Sequence, residues 1–404
     1  MPMNRRQFVQ ASCTAAAALA MPRWAAAGTF EKTAGDDRIL VVINLEGGND
    51  GLNTVVPVSD ARYAKLRGRL GLSRAQTIPI DAKTGFHPNL KSLAKLMNRG
   101  QLAVIEGVGY PQADLSHFRS NDIWSSGVAE TYETTGWLGR ALDDLYGQQL
   151  AALHSLAFGY AIPPAFYSRA VTTPVIYDPW AFQLNTDPYF PEDDGAKRQA
   201  VAAMFAPLGA RTHDFIGDVG RMALADSAAV RGAIENHANA PQYPDSDVAH
   251  LLQYTAAVIS AGLGPRVYWV AQGGYDTHDS QRGEHDGLLL DLDQALSAFL
   301  DDLQRHNADR RVAVLVWSEF GRRVEDNGSG GTDHGTAAPV FVLGTQVHGG
   351  FYGRRPSLSD LDDDGNLRYT VDFRSVYTTL LRDWIGVDPA RVITGSFEPL
   401  PFFG

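Results

Sequence analysis

One cysteine occurs in 404 residues, Cys13, and it sits near the amino terminus. Any mature form that lacks this segment can have no disulfide, no thiolate metal site and no cysteine nucleophile. Basic residues are also scarce, with 35 Lys and Arg against 46 Asp and Glu. Phosphate neutralisation requires clustered Lys and Arg, so nucleic acid is not an expected partner. The Ala-rich stretch near the amino terminus is too short to span a bilayer, which takes about 20 apolar residues, and no stable membrane insertion is expected. Internal repeats are absent, and low complexity is confined to that stretch.

The chain opens with Asn4-Arg-Arg-Gln-Phe-Val9, an apolar stretch from Ala11 to Met21, and the small-residue run Ala25-Ala-Ala27. This order of charged, apolar and small segments predicts an export signal over residues 1–27. Its adjacent arginines point to the twin-arginine machinery, which carries folded proteins, and so to a periplasmic or secreted location. Cys13 precedes most of the apolar stretch, which argues against lipid anchoring. Removal of residues 1–27 leaves 32 basic against 46 acidic residues, a net charge near −14. Residues 28–404 are expected to form one large α/β domain.

Continuous apolar runs predict buried strands at Ile39–Leu45, Gln101–Ile105, Arg266–Gln272, Arg311–Trp317 and Ala338–Leu343. Amphipathic helices are predicted from Leu90, from Ser116 to Trp124, from about Leu288 to Leu303, and over Asp372–Trp384. Such alternation implies a parallel sheet with helices on both faces. Between about residues 180 and 245 the sequence turns Ala-rich and helical, broken by Pro and Gly, and reads as a helical insertion over or beside the sheet. The acids Asp291, Asp293, Asp301 and Asp302 read as the solvated face of a helix.

Asp276-Thr-His278 follows the strand Arg266–Gln272, and Thr332-Asp-His-Gly335 lies in the glycine-rich loop after the strand Arg311–Trp317. Ligands of an open parallel sheet collect outside the carboxyl ends of its strands, so these groups are expected in one crevice. Carboxylate with neutral imidazole is the ligand chemistry of zinc and of harder divalent metals, and metal-assisted hydrolysis is the leading expectation. Glu46 and Asp50 stand in the turn after the first strand, although Asn49-Asp-Gly51 is also a sound tight turn. Ser116 opens a helix, as nucleophile or as plain cap. Arg322 and Arg323 can grip an anion through bidentate hydrogen bonds, or pair with Glu325 or Asp326.

On Leu45-Glu-Gly-Gly-Asn-Asp-Gly-Leu-Asn53, Ser116-His-Phe118, Asp276-Thr-His278, Ser318-Glu-Phe-Gly-Arg322, Gly331-Thr-Asp-His-Gly335 and Asp372-Phe-Arg-Ser-Val-Tyr377, the chain resembles an exported bacterial family, domain of unknown function 1501. That family is a sulfatase-like branch of the alkaline-phosphatase superfamily, and the resemblance implies a doubly wound, mostly parallel sheet. The resemblance implies a divalent ion (zinc, manganese, calcium or magnesium) in one or two sites. Asp276, His278 and His334 would form one site, and Glu46 or Asp50 with Glu319 and Asp333 the other. It also implies Ser116 as nucleophile; His117 beside it would assist or simply open the helix, and Arg322 or Arg323 would steady the anion. The expected activity is hydrolysis of a small anionic ester, a sulfate or phosphate.

Two departures stand out. Glu319-Phe320 replaces the superfamily's Asp-His pair, and Glu46 replaces an aspartate, so a single-metal or metal-free variant is a serious option. The alternatives are an exported binding or assembly protein that keeps the fold without the chemistry, and a metal-dependent hydrolase of a neutral ester or glycan.

Overall fold

The computed structural model describes residues 37–147, 153–180, 194–205 and 215–404. The export signal expected at residues 1–27 lies outside them. Nine strands form the central sheet: β1 (Ile39–Leu45), β2 (Leu102–Gly109), β3 (Ser155–Phe158), β4 (Val175–Ile176), β5 (Val267–Gln272), β6 (Val312–Trp317), β7 (Ala338–Leu343), β8 (Gly350–Gly353) and β9 (Val371–Asp372). The order across the sheet is β8-β2-β7-β6-β1-β5-β3-β4, with β9 beside β2. Every pairing is parallel except those of β7, which runs against both β2 and β6. The fold is therefore α/β with a mostly parallel sheet.

The central strands are apolar throughout because both faces are covered. Val41, Ile43, Val314 and Val316 join one cluster with Leu252 and Leu292 from the helices Asp247–Ser260 and Gln281–Arg305. Their sequence neighbours Leu40, Val42, Ala313 and Leu315 join a second with Ile123, Leu138 and Tyr377 from helices on the other face. Side chains that alternate across a strand produce this division. Ser155–Phe158, Val175–Ile176, Gly350–Gly353 and Val371–Asp372 are too short for a sequence period to reveal, and none of the four was expected as a strand.

Register fixes where the chemistry lies. Leu45 pairs with Gln272 and Asn44 with Trp317, so β1, β5 and β6 end together and Glu46, Gly273 and Ser318 leave at one edge. After β6 the chain stays at that edge through residues 318–337 and re-enters as β7 in the opposite sense. An antiparallel neighbour needs no crossover, so the loop carrying Asp333 and His334 is held at the edge.

Helices occur at Asp194–Met204 and Phe215–Glu235, inside the stretch read as an insertion; residues 181–193 and 206–214 lie outside the description. Two of the four acids expected on a solvated helix face are instead buried. Asp293 accepts from the backbone N–H groups of Ser92 and Leu93 at 2.9 Å and so caps the helix Lys91–Asn98, while Asp302 is fully buried. No helix among the described residues is long and apolar enough to cross a membrane.

Candidate metal centre

Three histidines from three segments converge on Asp276. His117 is the first residue of the helix His117–Ser126, which begins at the edge where β2 ends. That helix is pinned by Ser120, whose hydroxyl donates to the Glu319 carbonyl at 2.6 Å, and by Tyr377, whose hydroxyl donates to the Trp124 carbonyl at 2.9 Å. His278 follows β5 and His334 precedes β7.

Each imidazole is oriented by an oxygen at Nδ1 and presents Nε2 to the centre. His117 Nδ1 lies 2.8 Å from Glu319 Oε1, His278 Nδ1 3.1 Å from Asp333 Oδ1, and His334 Nδ1 2.7 Å from the Leu115 carbonyl. A carbonyl or carboxylate only accepts, so each Nδ1 carries the hydrogen and each Nε2 offers a lone pair. His334 Nε2 is 3.0 Å from Asp276 Oδ1, His278 Nε2 is 3.1 Å from the same oxygen, and the two Nε2 atoms are 2.9 Å apart. His117 Nε2 is 3.4 Å from Asp276 Oδ2, yet it is buried and has no hydrogen-bond partner.

Ligand atoms about 2.0–2.1 Å from a tetrahedral ion sit roughly 3.3 Å from one another, close to these spacings. His117, Asp276 and His334 form a group able to hold a metal ion, with His278 against two of its members. Carboxylate–imidazole pairs behind the ligands are the usual outer support of a metal-binding histidine. The orphaned Nε2 of His117 and the set of imidazole and carboxylate donors both fit a divalent cation.

Charge is shaped around the same point. The Glu319 carboxylate beside His117 raises that imidazole's pKa, against the opposing effect of burial. Burial acts to raise the pKa of Asp276, but the hydrogen bond from Arg322, with the His334 and His117 imidazoles alongside, outweighs it and holds the carboxyl below its ordinary range. Glu46 is raised, first by burial and then by the nearby Glu319.

Several expected site residues have other work. Arg322 is not an anion clamp: its side chain is fully buried and donates to the carbonyls of Gly47, Gly48 (2.7 Å), Thr332 (2.8 Å) and Tyr275 (2.9 Å), and to Asp276 Oδ1 (2.8 Å). Asp50 is not a metal ligand, because Arg67 grips it at 2.7 and 2.9 Å with both side chains fully buried, and it also caps the turn Gly51–Thr54. Glu319 is a buried support for His117 and Gly47 N–H, and Asp333 supports His278; neither joins the converging nitrogens. Glu46 lies at the rim of a neighbouring cavity, its side chain open to solvent on one side while protein atoms crowd its carboxyl group.

Phe320, where the resemblance leads one to expect a histidine, packs its ring against His117 and His334 with centroids 4.9 and 4.7 Å away. A second cation has no ligand set among the described residues here. Ser116 is the helix N-cap, but its exposed hydroxyl makes no capping bond. Arg323 keeps a buried Nε without a partner. The sequence placed His117 beside Ser116 as a helper only; its position at a helix start on the metal edge was the available signal.

Residues 214–397 match the family described as "Protein of unknown function (DUF1501)". The DUF1501 span holds Asp276, His278, Glu319, Asp333 and His334, and excludes Glu46, Ser116 and His117. Among solved structures, the chain is similar to a protein in the alkaline phosphatase superfamily from Vibrio parahaemolyticus, at 12% identity and TM-score 0.41, covering 89% of this chain and 69% of that one. It is also similar to the lipoteichoic acid synthase LtaP from Listeria monocytogenes (11%, 0.39, 89% and 74%) and to PsFucS1 sulfatase from Pseudoalteromonas sp. (12%, 0.37, 87% and 68%). All three TM-scores fall below 0.5, so the architecture rests on strand order and direction. No curated protein matches the sequence.

A second His-Asp group lies near the far end of the helix Gln281–Arg305. Asp302 takes His237 Nε2 at 3.0 Å, the Tyr243 hydroxyl at 2.9 Å and His306 Nδ1 at 2.9 Å. A buried carboxylate needs such partners, and they account for its burial.

Proposed function

We propose that this protein is an exported, metal-dependent hydrolase of a small anionic ester, a sulfate or phosphate, with one divalent ion held by His117, His278, His334 and Asp276. The convergence of three Nε2 lone pairs on one carboxylate, each aimed by its own oxygen, carries the reading. A bound ion would supply charge neutralisation at the transferring group and a lowered pKa for a nearby hydroxyl. Ser116 is the nucleophile: it is exposed, free of capping, next to His117, and at a helix N-terminus that favours developing negative charge. Arg323, not Arg322, would steady the anion, because Arg322 is committed to backbone carbonyls and Asp276. Arg322 acts at one remove by fixing Asp276 and the Gly47-Gly48 turn.

Elemental analysis of the purified protein should give close to one divalent ion per chain. Both His278→Ala and His334→Ala should lose it. On a panel of sulfate and phosphate esters, Ser116→Ala should lower kcat at least about a thousandfold with metal content retained. A protein that stays metal-free after supplementation with zinc, manganese, calcium and magnesium would overturn the reading.

One observation favours a non-catalytic exported binding protein instead. Phe320 and Arg322 fill space beside the centre with groups that cannot ligate. Stoichiometric metal with no turnover of any ester would support that second reading.

A further inference from the structure

Next to the centre lies a cavity of about 850 Å³. Its floor is one face of the sheet, where Asn44 and Glu46 project two residues apart from the end of β1, and Trp269 and Ala271 do so from β5. One wall is the helix His117–Ser126, whose Asn121 and Ser125 follow His117 at four-residue steps. Residues at that spacing share a helix face, so a row of side chains leads from the metal centre into the cavity.

The lining is aromatic and acidic. Phe158, Tyr160, Tyr177, Tyr254 and Trp269 supply rings, and Tyr160 stacks on Tyr177 with centroids 3.8 Å apart although both are exposed. Glu46, Asp178, Asp247 and Asp291 bring four carboxyl groups, and no Lys or Arg lies among the described lining residues. Asn44, only 3% exposed, lines this space, and its buried Oδ1 has no hydrogen-bond partner. Ring faces and negative charge together match an ammonium group, which is drawn to both.

We propose that this cavity holds the leaving-group part of the substrate and that this part carries a protonated primary amine. The inference rests on the hydrolase reading only in calling the occupant a leaving group. The anionic end then lies at the metal and the cationic end in the cavity, and a body with negative charge of its own is excluded by the carboxylates.

Isothermal titration calorimetry of the full chain with glucamine and with glucitol tests this, since the two polyols differ only by ammonium against hydroxyl at one end. Glucamine should bind at least tenfold tighter, with a preference that shrinks as salt is raised. Asp291→Asn and Asp178→Asn, both only partly buried, should each cut the preference several-fold with the thermal midpoint unchanged. Equal affinity, tighter binding of glucitol, or saturation by neither would overturn the proposal. Binding is read without turnover, so failure of the hydrolase reading leaves this outcome standing, and ester cleavage with glucitol preferred would sink the amine alone.

Discussion

At the scale of single residues, Glu319 shows how an acid beside the candidate metal centre can matter without joining its converging donors. One of its oxygens takes both the Gly47 N–H at 2.9 Å and His117 Nδ1 at 2.8 Å, and the side chain is almost wholly buried. Glu319→Gln keeps the shape but removes the charge that orients and polarises His117. Loss of such a support weakens metal binding by about 10–100-fold, and a competition titration with a chelator should show that drop. The raised pKa of Glu46 should also move back toward its ordinary value, because Glu319 is its second cause. Arg322 is the opposite lesson. An arginine after a glycine at a strand end reads as an anion clamp or a surface ion pair, and only its burial among backbone carbonyls shows that it serves the chain and not a substrate.

At the scale of elements, the Gly47-Gly48 turn decides how closely β1's exit approaches the loops from β5 and β6. Gly48 has φ +82°, and a Cβ there would overlap the Phe320 ring. Gly48→Ala is therefore expected to lower stability by about 1–3 kcal/mol, partly through backbone strain and partly through the displaced ring. Denaturant unfolding should report the loss, and in a double-mutant cycle the same change should cost less in a Phe320→Ala background, where the overlap is gone. The helix His117–Ser126 is held in the same way from outside itself, through Tyr377 on Trp124 and Ser120 on the Glu319 carbonyl. Asp372-Phe-Arg-Ser-Val-Tyr377, one of the stretches on which the family resemblance rested, thus supports the centre from behind: Asp372 caps its own helix and Arg374 pairs with Asp372 and Glu130.

At the scale of the molecule, the centre links stability to pH in opposite senses with and without metal. In the metal-free protein, His117 has a folded pKa above its ordinary 6.5, so its contribution is complete below that value and is lost as pH rises through the folded pKa. Asp276 has a folded pKa below its ordinary 3.8, so its contribution is present above that value and is lost as pH falls through the folded pKa. Metal binding competes with protons for the imidazoles and strengthens as pH rises. The gap in Tm between metal-loaded and chelated protein should widen from pH 5 to pH 8 in paired thermal scans. A gap that stays constant or narrows would count against imidazole ligands.

Sequence alone determined the layers and the working edge. Unbroken apolar strands such as Ile39–Leu45 and Val312–Trp317 admit only burial on both faces, and polar residues directly after them must emerge where the strands stop. Asp276, His278 and His334 were legible for that reason. Tertiary structure alone decided which neighbouring polar groups face the centre. It turned His117 inward, gave Asp50 to Arg67, buried Arg322 under four carbonyls, and set Glu319 and Asp333 behind imidazoles. Those outcomes depend on partners up to some 270 residues apart in the chain, as with Arg322 and Gly47. Local pattern carries no information about such meetings, because only the register of the assembled sheet brings them within hydrogen-bond reach.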